Sequence, residues 1–189
     1  MIRHGSDEWA AARATRLTAS DFGAALGINP YCSRQKLWRL KVGFEKVETN
    51  AHILRGVHHE ADALFAYEVE TGMLVDEVGL VLHPAHAWLA ATPDGAVGTD
   101  GLIECKCPAQ FRDAPPDYHF AQILGQLECA DRAWCDYVQW VEGEIQVTRV
   151  ARDPEWWALA LPQLREFWDC VERMEEPKRR SKKTLKDAP

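Results

Sequence analysis

A chain of 189 residues, 47% of them hydrophobic, is long enough for one well-buried domain and short for two. It holds no apolar run of about eighteen residues, which excludes a membrane-spanning helix, and the opening MIRHGSDEWAA lacks the apolar core of a secretion signal, so a cytoplasmic setting is expected. The formal net charge of −7 excludes a uniformly basic surface, but the charge is uneven: from Val171 onward seven basic residues stand against four acidic ones, and the rest of the chain is strongly acidic.

Ser6-Asp7-Glu8 reads as a helix start, with Ser6 as cap and acids in the first turn, followed by a short helix from Trp9 to about Thr15. Thr18 or Ser20 can cap a second helix ending at Gly27. Asn29-Pro30 marks a turn, and Ser33 can cap a third helix that runs to Val42 and stops at Gly43. Residues 52–71 carry the longest helical pattern, with Ile53, Val57, Ala61 and Leu64 as its apolar face and Gly72 at its end. Gly56 inside it costs about 1 kcal/mol against alanine, which points to a close approach there.

From Met73 to Leu82 the pattern becomes that of a strand, and Trp88–Ala91 makes a second. Leu102 to Cys107 alternates, so that Leu102, Glu104 and Lys106 point one way and Ile103, Cys105 and Cys107 the other. Pro108 stops the pairing. Tyr118–Ala130 is an amphipathic helix with Phe120, Ile123, Leu124 and Leu127 on its apolar stripe and Gln122 and Gln126 four apart on one face. Trp134–Val141 and Glu144–Ala151 form a hairpin about Glu142-Gly143. Asp153-Pro154 opens a tryptophan-rich C-terminal helix that Pro162 is expected to kink or break. The six cysteines are scattered, and Cys105 and Cys107 lie two apart without a partner pair. Reduced, buried thiols are expected rather than disulfides or a zinc site.

The chemistry concentrates in ATPDGAVGTDGLIECKCP, residues 91–108. Asp94 stands in a Pro-Asp-Gly turn, nine residues separate it from Glu104, and the glycines at 95, 98 and 101 mark a hairpin-like return that brings the two carboxylates together. Two carboxylates and the Lys106 ammonium on one strand edge suit Mg²⁺ or Mn²⁺, whose preferred ligands are oxygens. The lysine can steady a nucleophilic water or a phosphate.

Asp94 followed by Glu104-Cys105-Lys106 resembles the PD-(D/E)XK nuclease signature. The words ATPDG and IECKCP narrow the resemblance to the YqaJ-like viral recombinases, the group of the phage lambda exonuclease, over roughly residues 10–145. The resemblance implies an α/β fold, with a mixed central sheet flanked by helices. With the chain length allowing one domain, a single nuclease domain is expected over 1–175, and the polar, basic composition of 176–189 points to a flexible tail. It implies a Mg²⁺-dependent (or Mn²⁺-dependent) exonuclease that hydrolyses linear double-stranded DNA from its 5′ end in phage-type recombination, working as a homotrimer with a single-strand annealing protein.

By the same resemblance Glu60, Asp94, Glu104 and the Cys105 backbone carbonyl hold the metal, and Lys106 and Gln122 complete the catalytic set. Arg16, Ser20, Thr92 and Arg112 seat the 5′-phosphate, for which a helix N-terminus and a forked guanidinium are physically apt. Without the resemblance the plain readings stand beside these. Ser20 is an ordinary cap, Arg16 and Arg112 are surface charges, Glu60 is a solvated helix carboxylate, and the two glutamines face water. Rival functions are another PD-(D/E)XK endonuclease, a RecB-type nuclease, or a DNA-end-binding module that no longer cuts. The iron–sulfur version of the second needs a C-terminal cysteine cluster, and only Cys170 lies there.

Overall fold

Side-chain caps punctuate the N-terminal third of the chain. The Ser6 hydroxyl accepts the Trp9 N–H at 3.1 Å and opens α1, Asp7–Ala14. After β1, Leu17–Thr18, both the N–H and the hydroxyl of Thr18 donate to the Asp21 carboxylate, at 3.3 and 2.7 Å. This closes a 3-10 turn, Ala19–Asp21, that leads into α2, Phe22–Ala25. The cap is therefore Thr18 working with Asp21, and Ser20 sits inside the turn. Asn29 Oδ1 accepts the N–H groups of Tyr31 and Cys32, and Ser33 caps α3, Arg34–Lys41. The computed structural model describes residues 2, 5–46 and 51–179, and along 51–57 it describes the backbone alone. The side chains of Ile53, Arg55 and Val57 and the tail from Arg180 onward lie outside the described residues.

Helix α4, Ala51–Thr71, ends at Gly72 as its pattern predicts. Among its described side chains Ala63 and Tyr67 are buried, whereas Ala61 is exposed and Leu64 only half-buried. The stripe is rotated from the expected one because the helix packs on Ile103, Cys105 and Val138 of the sheet. The single strand expected over 73–82 is two short ones, β2 (Val75–Asp76) and β3 (Val81–Leu82), which belong to different sheets. Between them Val78 packs against the core cluster that includes Leu102, Leu124 and Tyr137.

The remaining strands are β4 (Leu89–Ala91), β5 (Gly95–Val97), β6 (Gly101–Lys106), β7 (Trp134–Val141) and β8 (Glu144–Ala151). Among the described residues they form a small sheet β1-β4-β3 and a larger mixed sheet β2-β5-β6-β7-β8, in which β6 and β7 are parallel and the other pairs antiparallel. Helix α5, Asp117–Ala130, is the crossover between the parallel pair. It covers one face of the sheet through Ile123, Leu124 and Leu127, while α4 covers the other. Against α5 lies α2, at a distance only glycine permits: a Cβ on Gly23 would stand 2.6 Å from Tyr118 Cβ, and one on Gly125 would stand 2.4 Å from the Phe22 ring.

Helix α6, Pro154–Glu172, is capped by Asp153, whose carboxylate accepts the Trp156 N–H at 2.9 Å. It runs unbroken through Pro162. Both Pro162 and Ala158, whose carbonyl loses its helical partner, are exposed, so water can satisfy that carbonyl. Leu164, Phe167 and Trp168 of α6 join Leu17, Phe22, Leu37 and Leu89 in the N-terminal core. No helix of the described residues is long and apolar enough to cross a membrane, and all six cysteines are free thiols.

Candidate active site

The return from β5 to β6 places Asp94 against the strand that carries Glu104. The Asp94 N–H donates to the Ile103 carbonyl at 3.2 Å, and its Oδ2 accepts the Cys105 N–H at 2.6 Å. Cys105 thus meets Asp94 through its N–H, and its carbonyl, expected as a metal ligand, makes no part of this contact. Gly95 is required here: a Cβ would stand 2.2 Å from Val75 Cγ1 of β2.

Glu104 is 1% exposed, and an ionised carboxylate so deep needs partners. It has three. Gln122 Nε2 donates to Oε1 at 2.6 Å, Gln126 Nε2 donates to Oε2 at 2.5 Å, and the Lys106 ammonium pairs with Oε1. Both glutamines of α5 therefore face the site. Gln126, the one less expected to reach it, is the more deeply buried, and its Oε1 has no partner in the protein.

Burial and then the Glu104 carboxylate push Asp94 well above the usual carboxylate range. Glu60 adds to the effect, and Lys106 and the Cys105 N–H oppose it. Burial works against the Lys106 ammonium, but Glu104 and then Asp94 outweigh it and hold the amine above its ordinary value. Glu60 and Asp94 line one cleft of about 540 Å³ together with Thr92, Pro93 and Phe65. Glu104 stands outside that lining, on the α5 side of β6.

The negative charge that Glu104 and Glu60 place around Asp94 also attracts a divalent cation, and the oxygen donors here suit a hard one. Among the described residues no three His, Cys, Asp or Glu side chains are grouped as a ready-made cage, since Glu104 is engaged by its amides and lysine. His59, beside Glu60, bonds Asp62 and stacks on Trp140.

Of the residues expected at the 5′-phosphate, Arg16 and Ser20 do not meet in the structure. The Arg16 guanidinium is occupied by the carbonyls of Ala12 and Ala87 and the hydroxyl of Thr15. It is Arg13 that donates to Ser20 Oγ, at 3.1 Å, with its guanidinium 4.5 Å from the centre of the Trp9 ring. Trp9 in turn donates its indole N–H to Thr92 Oγ1 at 3.0 Å. Ser20, Arg13, Trp9 and Thr92 thus form a continuous row ending at the cleft. The i, i+4 spacing of Trp9 and Arg13 on a capped helix is the sequence signal that would have found it.

Beyond β6, Arg112 lies in an exposed segment without helix or strand. Its backbone is gripped by Gln139 of β7, which accepts the Arg112 N–H at 3.0 Å and donates to the Arg112 carbonyl at 2.8 Å. The first turn of α5 faces the same place: His119 Nδ1 and the Tyr137 hydroxyl share a hydrogen bond of 2.9 Å. Burial, then Lys106 and Arg112, push His119 down to about 3, so it is neutral at physiological pH. Burial raises the Tyr137 phenol to about 12.

Comparison with known proteins adds a family and several relatives. The family model described as YqaJ-like viral recombinase domain matches residues 8–133. The alkaline exonuclease LHK-Exo from Laribacter hongkongensis is 32% identical, with a TM-score of 0.80 over 89% of this chain and 94% of that one. The same protein also has a structure in complex with dAMP. A phage related exonuclease from Haemophilus somnus 129PT shares the fold, with a TM-score of 0.60 at 13% identity over 84% of this chain and 92% of its own. The uncharacterized protein R354 of Acanthamoeba polyphaga mimivirus is 28% identical over 156 residues, and the chain spans only 28% of its length.

Proposed function

Since the chain belongs to the YqaJ-like viral recombinase family and has the mixed-sheet PD-(D/E)XK fold, we propose that it is a metal-dependent exonuclease. In this reading it hydrolyses phosphodiester bonds from the 5′ ends of linear double-stranded DNA and releases 5′-mononucleotides. The observation that carries the reading is the Asp94–Glu104–Lys106 constellation, with Glu104 buried and oriented by Gln122 and Gln126. The dAMP bound by the Laribacter relative is a mononucleotide, the product class this reaction requires.

Glu60, Asp94, Glu104 and the Cys105 carbonyl would hold one or two Mg²⁺ or Mn²⁺ ions, which supply Lewis-acid activation of the phosphodiester and of water. The residues of the chain do the rest. Gln122 and Gln126 fix both oxygens of Glu104, so its orientation survives substrate binding. Lys106, an ammonium group beside Glu104, orients the attacking water and stabilises negative charge that develops on the phosphoryl oxygens. Arg13 takes the place first given to Arg16. With Ser20, Thr92 and Arg112 it seats the terminal 5′-phosphate, which favours ends over internal sites. A homotrimer and a single-strand annealing partner in phage-type recombination complete the reading.

The test is digestion of linear duplex DNA bearing a 5′-phosphate, with Mg²⁺ or with EDTA, beside a nicked circle and the Asp94→Ala variant. Metal-dependent mononucleotide release from the linear form alone, lost in the variant, is the expected result. Cutting of circles would replace this reading by an endonuclease, and end binding without cleavage would replace it by a module that does not cut.

A further inference from the structure

Gln139 is 0% exposed, in the middle of a central strand, and neither hydrogen-bonding atom of its amide is spent on the core. In the parallel register it lies beside Lys106, and across the hairpin it lies beside Gln146, so its side chain shares the sheet face of Lys106 and Glu104. From there it accepts the Arg112 N–H at 3.0 Å and donates to the Arg112 carbonyl at 2.8 Å. This paired exchange is what two residues of an antiparallel ladder make through their backbones, here supplied by a side chain. Its amide also approaches Gln146 Oε1, at 3.4 Å.

The segment so gripped has little else to hold it in place. Residues 109–114 are exposed and carry neither helix nor strand. A loop of that kind samples many conformations unless its backbone is tied down, and fixing one residue in its middle removes most of that freedom. The tied residue is the arginine itself, so the backbone from which its guanidinium extends is fixed relative to Lys106, two strand positions from Glu104. The charge of Arg112 is felt by His119, Tyr118 and Tyr137, which surround the Lys106 end of the site.

We propose that Gln139 is a positioning residue: by clamping the backbone of Arg112 it presents the guanidinium to the terminal phosphate of the substrate and so sets the preference for 5′-phosphorylated ends. This rests on the proposed role of Arg112 as a phosphate contact, and the experiment separates the two. A buried amide with no partner is costly, so the absence of the Arg112 backbone would leave Gln139 unsatisfied. The clamp and the loop are therefore stable only together.

The measurement is kcat/KM on linear duplexes with 5′-phosphoryl and 5′-hydroxyl ends, for the wild type, Gln139→Met, Arg112→Ala and the double variant. Methionine keeps the volume and removes both hydrogen bonds. The expected result is that Gln139→Met lowers the phosphoryl-to-hydroxyl ratio by about tenfold, mostly through KM on phosphoryl ends. Arg112→Ala should do the same, and the double variant should lose no more than either, because one removes the hold and the other the held group. Amide exchange at Arg112 should quicken in Gln139→Met.

If Arg112→Ala lowers the ratio and Gln139→Met does not, the clamp proposal is overturned and the phosphate role of Arg112 stands. If neither moves it, the reading of Arg112 fails and the proposal with it. An equal loss on both ends with a lowered Tm, additive with Arg112→Ala, would mark Gln139 as merely structural. Should Gln139→Met fail to fold, Gln139→Glu carries the test: it can accept the Arg112 N–H but cannot donate to its carbonyl. A smaller loss of the ratio is then expected, and an unaltered ratio overturns the proposal.

Discussion

The two faces of the five-stranded sheet solve the same packing problem in opposite ways. Under α4, Ile103, Cys105 and Val138 meet Ala63 and Tyr67, and a buried charge, Asp136, is held by Tyr67 and by the Nε and Nη2 donors of Arg149. Under α5, the neighbouring residues of the same strands bury Glu104, Gln126 and Gln139. Neighbours in sequence, Ile103 and Glu104, therefore live in an apolar layer and a polar network respectively, because successive side chains of a strand point to opposite faces. The difference teaches where stability and chemistry are kept apart. The α4 face can lose a methyl group and keep its chemistry, whereas on the α5 face the loss of the Gln126 donor leaves Oε2 of the buried Glu104 charge without its partner.

The sharpest way to break this contrast is Lys106→Met, which leaves the buried Glu104 with amides alone. Single-turnover release of mononucleotides should fall by roughly 10²–10⁴-fold, and activity within tenfold of wild type would show that the α5 network is only structural. Next comes Gln126→Leu, which strips the donor from Glu104 Oε2. Urea unfolding should show a loss of about 1.5–3 kcal/mol, as for a hydrogen bond to a charged group, together with a fall in kcat.

Outside the sheet, Asp21 offers a test of the same rule by pH. Burial would raise it, but Lys41, with help from Thr18 and Arg13, outweighs burial and holds it below the usual carboxylate range. A depressed value means stabilisation that is present above about pH 4 and is lost as pH falls through the folded-state value. Asp21→Asn should therefore lower Tm near pH 7, and the gap to wild type should narrow in acid. A gap that stays constant would contradict the assignment.

On the α4 face the effects shrink. Tyr67→Phe removes one bond to Asp136 while Arg149 keeps two, so about 1 kcal/mol of stability should go, with turnover within about twofold of wild type. Smallest is Ile103→Val, with a loss of about 0.5–1.5 kcal/mol by thermal melt and little change in kcat. A large kinetic effect from either would erase the division between the faces.

Much of this was legible in the chain. The alternation of Leu102–Cys107 gives the correct faces, the glycines about Gly98 give the return of Asp94, and the spacing of Gln122 and Gln126 puts both amides on one side of α5. What escaped depends on contacts between distant residues. In Arg13-Ala-Thr-Arg16 the arginine nearer Ser20 in sequence is the one given a phosphate role beside it, but the helix ends at Ala14 and Arg16 is drawn off by the Ala87 carbonyl, 71 positions away. The strand over 73–82 divides because its two halves find partners in different sheets, which local pattern does not reveal. Pro162 should break α6 by local rules, yet the carbonyl it orphans faces water. The clamp on Arg112 joins residues 27 apart and left no local trace.

The close seating of α2 on α5 through Gly23 and Gly125 has its own consequence. Ser20 precedes one helix, and the amides that orient Glu104 project from the other. With Gly23 set against the Cα and Cβ of Tyr118 and Gly125 against the Phe22 ring, the spacing between the proposed grip on a DNA end and the proposed cutting carboxylate is gauged by the main chain at one contact and a single buried ring at the other. Such a gauge keeps its setting while the side chains around it fluctuate, and an added methyl at either glycine would reset the reach from end to scissile bond rather than remove either part.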